Sequence, residues 1–172
     1  MSGSKYTGVT RTLINTTGIF LIIWFVIEFL LSAWAVYFYR NWYLRTVIHI
    51  PGISEEDFSW GKIIWGHHSN FLRAFLALFS GIGILARKNI AGWSLACAVA
   101  LIEIHRWGKV LTLEAPDFPW INFFLWLFVL LFTVIFSFLM LKLVRREFKI
   151  QVRHWVVSLL LFILLLLDNY FL

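Results

Sequence analysis

Residues 71–107 read FLRAFLALFSGIGILARKNIAGWSLACAVALIEIHRW, two apolar segments joined at Arg87 and Lys88. Arg73 lies fifteen residues before Lys88, and Glu103 lies fifteen residues after it. If the segments form antiparallel helices that turn at Lys88, the two charged side chains share one depth. A charge at bilayer depth costs about 2.5–3.5 kcal/mol on insertion scales, so Arg73 and Glu103 are predicted to form an ion pair.

Small residues in the same stretch predict which faces of these two helices meet. Gly92, Ala96 and Ala100 repeat every four residues on the second segment, and Ala77 and Gly81 do so on the first. Small residues at this spacing let membrane helices approach closely. We therefore expect these two faces to pack together.

The composition of the whole chain indicates an all-α integral membrane protein. Of its 172 residues, 61% are hydrophobic and 14% are charged, and the mean hydropathy is +0.83. A soluble globule would need more polar surface than this. The chain has no internal repeat, and its one cysteine, Cys97, excludes a disulfide framework. We expect one polytopic domain over residues 1–172.

Five segments are candidates for the roughly 20 helical residues that cross a bilayer. They span residues of about 13–39, 68–86, 90–107, 120–141 and 155–171. In the second and third segments only Ala74–Ala86 and Ile90–Ile102 are free of charge, so a re-entrant hairpin is the alternative to two crossings. The expected architecture is a bundle of five transmembrane helices.

Loop charges predict the orientation, because cytoplasmic loops are enriched in Lys and Arg. With the N-terminus inside, nine basic residues lie in inner segments and five in outer ones. The inner set is Lys5, Arg11, Arg87, Lys88, Lys142, Arg145, Arg146, Lys149 and Arg153, and the outer set is Arg40, Arg45, Lys62, Arg106 and Lys109. This distribution favours five crossings, N-in and C-out, in the cytoplasmic membrane of a bacterium or archaeon. A hairpin would place the basic end of the fourth segment outside.

Residues 40–66 and 108–119 are expected to form two short caps on the outer membrane surface. Trp42, Trp60 and Trp65 lie in the first cap, and Trp107 and Trp120 border the second. Tryptophan prefers the headgroup region, so the caps are expected to contribute to an aromatic belt. An aromatic-walled mouth for a lipid-like ligand is the alternative.

Glu28 is the third charge at membrane depth, about 18 Å of helix below Arg40. It could join Arg73 and Glu103, meet another subunit, or have a functional role. On the third helix Glu103 and Arg106 share a face, whereas His105 points away from Glu103. The candidate ligand or ion-pair residues are therefore Glu28, Arg73, Glu103 and Arg106.

Three histidines raise the question of a metal site. His67, His68 and His105 all fall near the outer boundary, and imidazole suits zinc, iron or copper. However, His67 and His68 are adjacent and cannot easily face one ion, and His105 points away from Glu103. A metal site is therefore disfavoured. His49 and His154 are interpreted as interfacial residues.

The run Glu103-Ile104-His105-Arg106-Trp107, followed by Pro116 and a long span ending at Lys142, resembles part of the C subunit of copper membrane monooxygenases. In that family an acid, a histidine and a tryptophan end a transmembrane helix. The family also places a ligating asparagine four residues before the histidine and another histidine about fourteen residues after it. This chain has Leu101 and Pro119 there. The resemblance thus implies a relative without the usual copper site.

These features favour a non-catalytic subunit, or an assembly or stabilising factor, of a larger membrane complex, rather than an enzyme on its own. The chain has no Walker, Gly-x-Ser-x-Gly or His-Glu-x-x-His motif. One alternative is a redox or lipid-handling enzyme component that holds lipid or quinone near Arg73, Glu103 and His105 at the outer leaflet. Another is ion or solute transport using Glu28 and Glu103. Expected partners are the bilayer and other membrane subunits or further copies of the chain. Nucleic acid is excluded because the basic residues lie in short loops.

Overall fold

The computed structural model describes residues 3–46, 59–113 and 119–171, and all the regular elements in these ranges are helical. A π-helical segment, Asn89–Ser94, precedes the fourth of seven α-helices. The α-helices are α1 (Gly3–Thr46), α2 (Trp60–Gly66), α3 (His68–Leu85), α4 (Leu95–Leu113), α5 (Pro119–Met140), α6 (Lys142–Glu147) and α7 (Val152–Phe171). The predicted all-α class is confirmed. Of these helices, α1 from Gly8 onward, α3 and α5 are long and apolar enough to cross a membrane.

Two helices continue beyond the apolar segments that predicted them. The first was expected to end near residue 39 and the third near residue 107, but α1 reaches Thr46 and α4 reaches Leu113. Neither extension contains a proline, so the helical hydrogen bonds continue after the apolar pattern stops. Both predicted caps therefore begin as helix, and α2 forms the end of the first. Their remaining parts, residues 47–58 and 114–118, lie outside the described residues.

The central helix of the bundle is α4. It packs against α3, α5 and α7, and residues 96–100 are all buried. A helix that faces solvent or lipid on one side cannot bury five consecutive residues, so α4 is enclosed on every side at this level. Cys97 lies in this run as a buried free thiol. The small side chains of Ala96, Ala98 and Ala100 allow the surrounding helices to approach.

Glycines bring α3 into backbone contact with elements on two sides. A Cβ atom built on Gly83 would lie 2.6 Å from the backbone nitrogen of Gly92, just before α4. A Cβ atom built on Gly81 would lie 2.6 Å from the carbonyl oxygen of Gly18 in α1. The expectation that Gly81 faces the Gly92 side was therefore wrong. Residues two apart on a helix point in nearly opposite directions, and it is Gly83 that meets Gly92.

An aromatic layer joins α1 to α5. The Trp24 ring packs edge-on against Phe132 and Phe128, with ring centroids 5.0 and 5.4 Å apart. Phe20 also packs edge-on against Phe132 at 6.0 Å. These edge-to-face contacts are the favoured geometry for aromatic pairs. They hold α1 against α5 in the middle of the bundle.

At one end of the bundle, α3 connects to the π-helical segment, and α5 is followed by α6 and the start of α7. Hydrogen bonds hold this end together. The Trp93 indole donates to the Leu139 carbonyl at 2.8 Å, and the Ser94 hydroxyl donates to the His154 carbonyl at 3.2 Å. We call this the basic end of the bundle. Its basic residues include Arg11, Arg87, Lys88, Lys142, Arg145, Arg146, Lys149 and Arg153.

His154, which was interpreted as an interfacial residue, is fully buried at the basic end, so its side chain is enclosed by the protein. Its Nδ1 accepts a hydrogen bond from the Gln151 backbone N–H at 2.8 Å, and its carbonyl also accepts from Ser158 at 2.9 Å. The local bond to Gln151 holds the imidazole over the start of α7. His49 lies outside the described residues.

Two turns at the basic end contain a residue in the left-handed backbone region. Arg87, after α3, has φ 54°, and Lys149, after α6, has φ 51°. The N–H of the following residue closes each turn: Lys88 donates to Gly83 at 2.8 Å, and Ile150 donates to Arg145 at 3.0 Å. This is the hydrogen-bond pattern that usually places glycine at such a position.

Candidate functional site

Four charged side chains from three helices meet inside the bundle. α1 contributes Glu28, α3 contributes Arg73, and α4 contributes Glu103 and Arg106. We call these four residues the charge quartet. Glu28, Arg73 and Glu103 are each no more than 5% exposed, and Arg106 is half-buried. Burying a charge is costly unless it is paired, so the proximity of acids and bases accounts for their place in the core.

Acids and bases alternate around the quartet. A guanidinium N–H of Arg106 donates to Glu28 Oε1, and the same Arg106 nitrogen lies 3.8 Å from Glu103 Oε2. Arg73 Nη2 lies 4.0 Å from Glu28 Oε1, and Arg73 Nε lies 4.0 Å from Glu103 Oε1. Each carboxylate therefore faces two guanidiniums, and the four formal charges sum to zero. Three of the four contacts are longer than hydrogen bonds, so attraction between charges holds them.

A chain of polar contacts runs from the quartet toward the end of α1. The Arg73 guanidinium donates to Asn70 Oδ1, and Asn70 Nδ2 lies 3.3 Å from His67 Nδ1. The His67 ring packs against Tyr39, with ring centroids 5.6 Å apart. Asn70 and His67 thus fix the side chain of Arg73. They lie on the side of Arg73 that faces away from the basic end.

His68 links the start of α3 to the end of α7. Its Nδ1 lies 2.6 Å from the Trp65 carbonyl oxygen, and its Nε2 lies 2.9 Å from Asp168 Oδ1. A carbonyl oxygen can only accept, so Nδ1 carries a proton and donates it. Nε2 faces the Asp168 carboxylate, so this side chain joins α3 to α7. The ring also stacks on Trp65 at 5.1 Å.

The histidines proposed as metal ligands are engaged in these other contacts. His68 uses both ring nitrogens, and His67 uses Nδ1 toward Asn70. Within residues 3–46, 59–113 and 119–171, no three His, Cys, Asp or Glu side chains lie close enough to hold a metal ion. His105 is half-buried on α4.

The structure brings together all four residues proposed as ligand or ion-pair candidates. Arg73 and Glu103 face each other, as their equal distance from the turn predicted. Glu28 joins them, but Arg106 is its hydrogen-bond partner, a contact that sequence reasoning missed because it counted Arg106 as an outer-loop base. The available signal was the three-residue spacing of Glu103 and Arg106, which puts both on one face of α4.

Asp168 was also missed as a partner. It bonds to His68, which lies one hundred residues away in sequence. No local pattern pairs residues so far apart. In chemical terms the site is a neutral set of ion pairs that fastens α1, α3 and α4, with the His68–Asp168 contact fastening α7 beside it.

Comparison with known proteins gives no relative: no family model, no curated protein and no solved structure matches this chain.

Proposed function

We propose that this chain is a five-span membrane protein, N-in and C-out, that serves as a non-catalytic subunit or an assembly or stabilising factor of a larger membrane complex. The observation that carries this proposal is the charge quartet. Its two acids and two bases compensate one another within one chain. The charged residues that suggested a ligand or ion site therefore hold α1, α3 and α4 together.

The topology rests on two further observations. Arg106 belongs to the quartet and not to a loop, which leaves four outer basic residues against nine inner ones. The quartet also supplies partners for Glu103 and Arg106, so that α4 can lie at membrane depth despite its charges. These observations support five crossings over a re-entrant hairpin.

The apolar outer surfaces of α5 and α7 fit a place in the bilayer and leave room for contact with neighbouring membrane helices. Phe123, Trp126, Leu130 and Leu164 are each at least 60% exposed in the isolated chain. Such surfaces face lipid or neighbouring membrane helices. Two other hypotheses stay predictions. One is a quinone- or lipid-handling component that uses Arg73, Glu103 and His105. The other is transport that uses Glu28 and Glu103.

Native electrophoresis of membranes extracted in mild detergent tests the subunit role. We expect the chain to migrate in an assembly larger than its own 20.3 kDa, and deletion of the chain to deplete the other members of that assembly. Glu28→Gln should keep the chain in the assembly because the amide still accepts from Arg106. A chain that migrates alone, with no other protein changed by its deletion, would overturn the proposal.

Proteoliposomes separate this role from ion transport. The purified wild-type chain should leave an imposed pH gradient unchanged, and Glu28→Gln and Glu103→Gln should behave in the same way. A gradient that collapses with the wild type and persists with Glu28→Gln would establish transport instead. A quinone that co-purifies beside Arg73 and His105 would establish the enzyme-component reading.

A further inference from the structure

A cavity of about 410 Å³ opens at the basic end, well away from the charge quartet. α6 and the turn that follows it form its walls, which consist of Lys142, Arg145, Arg146, Lys149 and Ile150. The volume falls within the range of small-molecule pockets in proteins. Four of the five lining residues are cations, so any ligand that the cavity selects is an anion.

The positive charge of this cavity has no counterpart in the described part of the chain. No carboxylate is among the lining residues there, and none of the four cations forms an ion pair within the described ranges. The acid of α6, Glu147, lies 3.8 Å from Arg11 and 3.8 Å from Arg87 instead. Like charges held together repel, and a bound anion would relieve that repulsion.

Lys149 occupies a position at which the backbone favours glycine. Its φ of 51° belongs to the left-handed region, where a side chain is disfavoured. Backbone geometry alone therefore does not account for a lysine there. Arg87 has the same backbone conformation outside the cavity, so what distinguishes Lys149 is that it lines the cavity.

Arg145 lines the cavity and has a hydrogen-bond donor that is not satisfied in the described part of the chain. Its guanidinium carbon lies 5.8 Å from the centre of the Trp155 ring, and its Nε is buried with no hydrogen-bond partner among the described residues. A guanidinium presents donors in a fork that matches phosphate oxygens. Trp155, at the start of α7, also suits the headgroup region of a bilayer, which places the cavity at the depth of lipid phosphates.

We propose that this cavity binds a phosphate group with net negative charge, carried by an anionic phospholipid or by free phosphate. Basic pockets on the cytoplasmic side of membrane proteins suit anionic headgroups, and the cavity lies beside the helix ends that the proposed topology puts on that side. The site uses none of the quartet residues, so it does not depend on the role in a complex.

The test measures ligand retention by the full chain reconstituted in phosphatidylcholine nanodiscs. One arm contains phosphatidylglycerol, and the other contains inorganic phosphate without anionic lipid. Retained lipid is counted by native mass spectrometry, and phosphate binding is measured by equilibrium dialysis. Retention in the first arm alone identifies the lipid as the source, and saturable phosphate binding in the second identifies the free anion. Either result supports the site, provided that it depends on the cavity residues.

Variants establish that dependence. Arg146→Gln should weaken binding about fivefold, as expected for the loss of one cation near an anionic headgroup. Arg153→Gln removes a charge from the same end outside the cavity and should change binding much less. Equal losses in the two variants would overturn the proposal, because they would show attraction to the whole basic end.

A second pair of variants tests whether weaker binding could come from misfolding. Lys149→Gly removes a lining cation but relieves the left-handed backbone, so the variant should fold at least as well as the wild type while binding about fivefold more weakly. Arg87→Gly relieves the same backbone conformation outside the cavity and is the control for folding only, because it also removes a partner of Glu147. Unchanged binding in Lys149→Gly would contradict the assignment.

Discussion

At Arg73, α3 is held to its neighbours by side-chain charges, whereas at Gly81 and Gly83 it is held by direct backbone contact. The two regions lie about 15 Å apart along one helix. In the quartet, gaps of 3.8–4.0 Å and flexible side chains leave room for adjustment. At the glycines the opposing atoms are backbone, which has no side chain to move aside. The stability of the charged region should therefore depend on the balance of positive and negative charges. The stability of the glycine region should depend on the space between the two backbones.

The largest effect is expected from unbalancing the quartet. Arg73→Met leaves two buried carboxylates with Arg106 alone, and removing one member of a buried ion pair costs about 3–5 kcal/mol. The free energy of unfolding in bicelles, measured by steric trapping, should fall by that amount. Adding Glu103→Gln restores neutrality and should recover part of the loss.

The control for this prediction is Arg45→Gln, which removes an exposed charge from the last turn of α1 and should change stability by less than about 0.5 kcal/mol. If Arg73→Met/Glu103→Gln is as unstable as the sum of the two single variants, balance of charge is not what holds this region together.

A smaller loss is expected from adding one methyl group at the glycine contact. In Gly83→Ala the new Cβ would lie 2.5 Å from the Ala91 carbonyl carbon, so α3 and the π-helical segment must separate. Overpacking of this kind costs about 1–3 kcal/mol. The same unfolding measurement should show the loss, and Gly81→Ala should behave similarly through its contact with Gly18.

Gly108→Ala is the matched control, since a Cβ built at Gly108 meets nothing within 4 Å. This variant should be unchanged or more stable by up to about 1 kcal/mol, because alanine favours helix over glycine. Equal stability of Gly83→Ala and Gly108→Ala would show that the backbone contact is looser than described.

The smallest effect is expected at the contact between His68 and Asp168, which is partly exposed. Asp168→Ala removes the acceptor of a hydrogen bond between α3 and α7 and should lower the free energy of unfolding by about 1 kcal/mol. Asp168→Asn should lose less, because its amide oxygen can still accept from His68. Equal losses in the two variants would mean that charge, and not the hydrogen bond, dominates this contact.

The contacts of the charged region were easier to predict from the sequence than those of the glycine region. The Arg73–Glu103 contact followed from counting residues to a turn, because charges in an apolar segment are rare and need partners. The glycine contacts were only half predicted: the small residues were recognised, but Gly81 was assigned to the wrong neighbour, since periodicity says which face is small and not what lies opposite. The bonds from Arg106 to Glu28 and from Asp168 to His68 join distant residues, and no local pattern pairs them.

In the proposed five-span topology, the enclosed position of α4 has a consequence for how the chain enters the membrane. With Glu103, Arg106 and Lys109 in its nineteen residues, α4 alone is poorly suited to partition into lipid. Its partners Glu28 and Arg73 belong to α1 and α3, which emerge earlier from the ribosome. We expect α4 to be released into the bilayer only after those two helices have come together, so that the order of synthesis is also the order in which its charges find partners.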